Sequence, residues 1–154
     1  MTILKGVPRI IPAKLLSTLA KMGHGDTIVL ADANFPAASV AACTAGGLIN
    51  CDGVDGATML KAIMTLLPLD PVVPPIGLMQ LMPEHKLAGW QTPIWATYQK
   101  IIDEAEGRAV PREEIERFAF YERAKKAYAV VVTGETAFYA NVILQKGIIG
   151  DSGK

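Results

Sequence analysis

Few residues in this chain have chemistry to offer. His24 lies in Met22-Gly23-His24-Gly25-Asp26, and Asp32 stands eight residues further on, after Thr27-Ile28-Val29-Leu30-Ala31. An imidazole between two glycines has little cover from its neighbours. Histidine, with a reference pKa near ~6.5, can give or take a proton at neutral pH. An aspartate just past an apolar run sits where open α/β sheets place their ligands, beyond the carboxyl ends of the strands. Arg117 and Tyr121 follow in Glu116-Arg117-Phe118-Ala119-Phe120-Tyr121, and Tyr139-Ala140-Asn141 near the end. Tyr139 and Asn141 are two apart, so in an extended segment they share a face. A phenol beside an amide suits hydroxyl recognition, and it equally suits a structural cross-strand pair. Plain readings stand beside the others too: His24 as a turn residue, Asp32 as a strand-end cap, Arg117 as a salt-bridge residue, Tyr121 as a core aromatic. His85, in Pro83-Glu84-His85-Lys86, reads as a solvated loop residue. Together the polar set suits a small polyhydroxylated ligand. It offers an acid/base pair and several hydrogen-bonding groups, but no nucleophile.

Other chemistries find no support. Gly23-His24-Gly25 is too short for a phosphate-binding loop, and there is no Gly-x-Ser-x-Gly elbow. Two histidines and two distant cysteines, Cys43 and Cys51, make no zinc pattern, so neither metal nor cofactor is expected. Fifteen basic residues balance fifteen acidic ones. That neutrality argues against a nucleic-acid or anionic-membrane partner and permits self-association. No run approaches the ~18 apolar residues of a membrane span. Lys5 and Arg9 are followed by Pro12 and Lys14 rather than a clean apolar core, so a secretory leader is not expected. Scarce cysteine then points to reduced thiols and the cytoplasm.

Those residues must be positioned by a packed core, and 51% hydrophobic residues over 154 positions provide for one layered domain spanning 1–154. Leu15, Leu16, Leu19 and Met22 recur at helical spacing, predicting a helix over 10–22 that Gly23 stops. Thr27 to Ala31 reads as a buried strand, and Asn34 to Ala37 as a bend. Residues 39–47 have no clear period, and 48–51 is a short strand. Asp55 caps a helix over 56–67, 76–82 is a strand, and Thr92 caps a helix that starts at Pro93 and stops at Gly107. Residues 115–118 read as extended and 120–127 as a short helix. Residues 128–133 give the strongest strand signal, and 139–144 a polar pair entering another strand. Strands alternating with helices predict an α/β domain, a central β-sheet flanked by helices. His24 and Asp32 then lie at opposite ends of one strand. Meeting at one site needs the turn to fold back, or a second subunit to bring its own copy.

At these residues the chain resembles the fucose mutarotases, a family related to the ribose pyranases. The resemblance runs through Leu4-Lys5-Gly6-Val7-Pro8, Met22 to Asp26, Leu30 to Ala37, Leu66-Leu67-Pro68-Leu69-Asp70, Glu116 to Ala127, Val132 to Ala137 and Tyr139 to Gly147. It covers nearly the whole chain. It implies interconversion of the anomers of free L-fucose, with His24 as the catalytic acid/base. Asp32, Arg117, Tyr121 and the Tyr139-Ala140-Asn141 segment would contact the sugar. Arg117 favours the fucose branch, because ribose pyranases resemble this stretch but carry histidine at the matching place. The resemblance also implies a homo-oligomer with sites near subunit interfaces.

Two positions depart from the family pattern: Ala140 stands where glycine is usual, and Asn50 where arginine is usual. Mutarotation opens a hemiacetal ring and recloses it on the other face. A base takes the anomeric hydroxyl proton while an acid protonates the ring oxygen, a division of labour worth roughly 10²–10⁴-fold. A ribose-type pyranase shares that chemistry. A catalytically silent sugar-binding protein is the reading from a different class, supported chiefly by Ala140.

Overall fold

A computed structural model describes residues 2–151. Twelve elements follow one another: α1 (Ala13–Lys21), β1 (Thr27–Ala31), α2 (Ala37–Ala41), β2 (Leu48–Cys51), α3 (Gly56–Met64), β3 (Ile76–Met79), α4 (Pro83–Leu87), α5 (Pro93–Glu106), β4 (Arg112–Ile115), α6 (Arg117–Lys125), β5 (Ala129–Thr133) and β6 (Val142–Gln145). The strands form one six-stranded sheet in the order β2-β5-β1-β6-β3-β4. β1 runs parallel to β5, β5 to β2, and β3 to β4, while β6 is antiparallel to both β1 and β3. Five strands therefore point their carboxyl ends the same way, and β6 enters the sheet from that same end.

Alternation along the strands divides the core in two. Ile28 and Leu30 face a cluster with Leu15, Leu19, Met59, Leu60, Ile63, Tyr98 and Ile102, from α1, α3 and α5. Val29 and Ala31 face the other way, against Val40, Ala41, Phe120 and Ala124 of α2 and α6. Burial on both faces explains why β1 and β5 read as continuous apolar runs.

Several local expectations change. Residues 115–118 are not extended throughout: β4 ends at Ile115, and α6 already begins at Arg117. The Glu116 carboxylate accepts from Ala119 N–H at 3.0 Å and caps that helix, a role hidden in a stretch without clean periodicity. The aperiodic stretch after Pro36 contains the short helix α2. Pro83 opens another short helix, α4, where the sequence reads as loop. Asp55 caps α3 as expected, accepting from Thr58 N–H at 2.8 Å, whereas the Thr92 side chain makes no cap bond. Tyr139 lies in a turn, and Ala140 and Asn141 form an irregular link into β6, which begins at Val142. Tyr139 has φ 60°, a left-handed conformation uncommon for a bulky residue.

Candidate active site

A cavity of about 320 Å³ opens where the carboxyl ends of the parallel strands meet the entry to β6. Each element delivers something to it. Asp32 and Asn34 follow β1, Met79 and Met82 end and follow β3, and Arg117 and Tyr121 come from the first two turns of α6. Tyr139 and Asn141 arrive on the turn before β6. Its volume is at the small end of the range for ligand pockets, roughly 300–1,000 Å³.

Asp32 is 4% exposed. Its Oδ1 accepts from Asn34 N–H at 3.0 Å, and its own N–H donates to Asn141 Oδ1 at 2.8 Å. Burial pushes its carboxyl above the usual range, and the N–H groups of Asn34, Ala140 and Phe35 oppose that only in part, together with the Asn141 side chain. A buried carboxylate held by backbone donors and opening on a cavity is an arrangement typical of functional sites.

Arg117 reaches Tyr121 Oη at 3.5 Å through Nε and the Met82 sulfur at 3.3 Å, and lies 5.7 Å from the Tyr121 ring centroid. The Tyr121 hydroxyl favours the charged guanidinium. The Tyr139 backbone is braced from behind: Trp95 Nε1 donates to its carbonyl at 2.8 Å, and Tyr98 Oη donates to the next carbonyl, that of Ala140, at 3.0 Å.

The structure brings Asp32, Arg117, Tyr121, Tyr139 and Asn141 to this one cavity. Two expected site residues are not there. Ala140 does not line the cavity: it is fully buried, and its methyl packs into the core with α1, α3 and α5. The side chain added relative to glycine therefore takes no space from a ligand. His24 stands at the opposite end of the sheet, since β1 carries the chain roughly 13–17 Å between His24 and Asp32. Its side chain is 53% exposed, and its Nε2 lies 3.0 Å from Asp70 Oδ2. Asp70 also accepts from Val72 N–H at 2.8 Å and from Gln145 Nε2 at 3.1 Å. The Val72 N–H, with Gln145 and His24, holds its carboxyl below the usual range. Asn50, the other departure, is exposed and accepts from Asp52 N–H at 3.0 Å in a local turn.

Sequence reasoning missed the aromatic wall. His85 is not a solvated loop residue. Its Nδ1 lies 2.5 Å from Tyr139 Oη, and its ring stacks on Trp90 at 3.8 Å and 10°. Phe35, Met82, Trp90 and Phe138 complete the apolar lining. Nothing in the sequence ties position 85 to position 139. A proline at the first turn of α4 was the one local signal, and the aperiodic stretch around it gave it no support.

An open α/β sheet with a small cavity at its carboxyl edge, lined by one buried carboxylate, a guanidinium, two phenols, two amides and an imidazole, has the form of a site for a small polar ligand. The chain belongs to the RbsD / FucU transport protein family, whose model matches residues 5–149. It is 52% identical over 151 residues to the fucose mutarotase of Homo sapiens, covering 97% of this chain and 96% of that one. It is 43% identical over 146 residues to the L-fucose mutarotase of Actinobacillus pleuropneumoniae, covering 94% and 96%. The crystal structure of a fucose mutarotase in complex with L-fucose from Streptococcus pneumoniae superposes with a TM-score of 0.84 at 45% identity, over 96% of this chain and all of that one.

Proposed function

We propose that this chain, across 1–154, is an L-fucose mutarotase, a cofactor-independent isomerase that interconverts the α and β anomers of the free sugar. The observation that carries the reading is the convergence of Asp32, Arg117, Tyr121, Tyr139 and Asn141 on one small cavity in a chain of this family. Asp32 accepts from sugar hydroxyls and Arg117 donates to ring or hydroxyl oxygens. The phenols of Tyr121 and Tyr139 and the amide of Asn141 share the remaining contacts. The apolar wall of Phe35, Met82 and Trp90 matches the sugar's carbon–hydrogen face.

His24 supplies the acid/base group. Its imidazole takes the anomeric proton or returns one to the ring oxygen, and Asp70 fixes its orientation. Because His24 sits at the far end of the sheet, the complete site forms between two copies, one giving the cavity and the other His24. Exposed apolar residues at both ends support such a contact: Leu87, Phe118 and Phe138 beside the cavity, and Val72, Ile148 and Ile149 beside His24. A contact joining unlike ends is heterologous and generates closed rings when its rotation permits. Ala140 gives the silent-binder reading no support, since its methyl lies in the core. No helix among the described residues is long and apolar enough to cross a membrane. The free thiols of Cys43 and Cys51 fit a reducing cytoplasm.

The test is saturation-transfer proton NMR on L-fucose at equilibrium and neutral pH. Transfer between the anomeric protons that depends on protein is the expected result. Its absence at substantial protein concentration, with D-ribose as the alternative substrate, would reject the assignment.

A further inference from the structure

The phenol of Tyr139 has one proton and two lone pairs to place. Met82 N–H donates to its oxygen at 3.2 Å, and His85 Nδ1 lies 2.5 Å away on the same oxygen. A phenol is a much stronger acid, and so a stronger hydrogen-bond donor, than a neutral imidazole N–H, which favours the tautomer with its proton on Nε2 and the phenolic proton pointing at Nδ1. One lone pair is then taken by Met82 and one is left for the cavity. We infer that His85 is a positioning residue: it holds the Tyr139 hydroxyl as a hydrogen-bond acceptor toward the sugar, and Trp90 holds His85.

Three further observations support this. The His85 and Trp90 rings stack at 3.8 Å and 10°, which fixes the plane of the imidazole. Trp90 also contacts Phe138 at 5.1 Å and Tyr139 at 6.4 Å, so α4 and the following turn are tied by their rings to the turn before β6. Tyr139 itself holds the uncommon φ of 60°, a conformation that persists only where surroundings over-determine it. Trp95 and Tyr98 bind the backbone on one side of that turn, while Met82 and His85 bind the phenol on the other. A phenol locked as an acceptor discriminates among ligands: it welcomes a sugar hydroxyl at that point and rejects a group that can only accept.

The inference rests on the sugar-site reading above, and a double-mutant cycle on anomer exchange tests it. His85→Ala is expected to lower kcat/KM about tenfold in the wild-type background, on the scale of one hydrogen bond. In a Tyr139→Phe background the same change should cost less than about twofold, because the two residues act as a unit. His85→Asn, whose side-chain oxygen can occupy the Nδ1 place, should recover most of the loss. Equal losses in both backgrounds would overturn the inference. Should His85→Ala fail to fold, His85→Leu keeps a side chain against Trp90 and serves in the same cycle. Labelled-tyrosine NMR separates this failure from failure of the mutarotase reading. The Tyr139 ring-carbon resonance should move in His85→Ala whether or not any sugar turns over, and a resonance that stays in place refutes the proposed bond.

Discussion

Replacing Asp32 with asparagine changes one charge at nearly constant shape, and it separates function from folding. Asp32 is buried, and burial raises its carboxyl above the ordinary value of 3.8. The unfolded chain therefore loses this proton at lower pH than the folded chain. Between the two values the native state holds more proton, so this group's contribution to stability falls as pH rises. The slope is at most about 1.4 kcal/mol per pH unit, and it vanishes above the folded value. Asparagine does not titrate. The melting temperature of Asp32→Asn relative to wild type should thus improve as pH rises from about 4, then level off. One kcal/mol corresponds to about 2–4 °C in a chain of this size. An amide also offers one acceptor oxygen where the carboxylate serves the N–H groups of Asn34, Phe35 and Ala140, so a constant offset of either sign is superimposed. The pH trend, not the offset, carries the test. Function moves the other way. A bond to a charged acceptor contributes about 1.5–3 kcal/mol against about 0.5–1.5 for a neutral one. With one or two sugar hydroxyls on Asp32, kcat/KM for anomer exchange should fall about 10–100-fold at neutral pH. Thermal unfolding across pH 4–8, paired with NMR exchange rates, measures both. A melting temperature of Asp32→Asn that falls relative to wild type as pH rises, or an unimpaired Asp32→Asn enzyme, would refute the reasoning.

Further outcomes follow from other contacts. Tyr98→Phe removes the buried donor to the Ala140 carbonyl and should cost about 1–3 kcal/mol, read as a lower melting temperature, with reduced exchange because Tyr139 and Asn141 flank that carbonyl. Gly134→Ala would place a Cβ 2.3 Å from the backbone oxygen of Asp52, where neither group can easily retreat, and should destabilise by about 1–3 kcal/mol in denaturant titration. His24→Ala should abolish most exchange while the circular dichroism spectrum and melting temperature stay near wild type, since the imidazole is half exposed. Mixing His24→Ala with Arg117→Ala subunits should restore activity at roughly a quarter of the sites by random pairing, if each site spans two copies. No recovery after exchange of subunits would argue for a site within one chain.

Much of this architecture was legible in advance where local signals agreed with the global fold. The buried runs at 27–31 and 128–133 became β1 and β5, and the Asp55 cap began α3. Where such signals were weak, reading failed. Arg117 sits on a helix because Glu116 caps it, in a stretch whose apolar spacing shows no helical face. Tyr139 and Asn141 do share a cavity, but through a left-handed turn braced by Trp95 and Tyr98, and not through strand alternation.

By itself the sequence determined the inventory of groups, the α/β alternation and the family. It also determined that His24 and Asp32 must lie at opposite ends of a strand, because five extended residues cannot fold back on themselves. Tertiary structure alone decided which groups meet. Asp70 joins His24 across 46 positions, His85 joins Tyr139 across 54, and Asn141 joins Asp32 across 109. Contacts over such separations are set by sheet order: β6 threads antiparallel between β1 and β3 and delivers its entry turn to their carboxyl ends. Strand order depends on which apolar faces pack best in three dimensions, and no local pattern of residues encodes that.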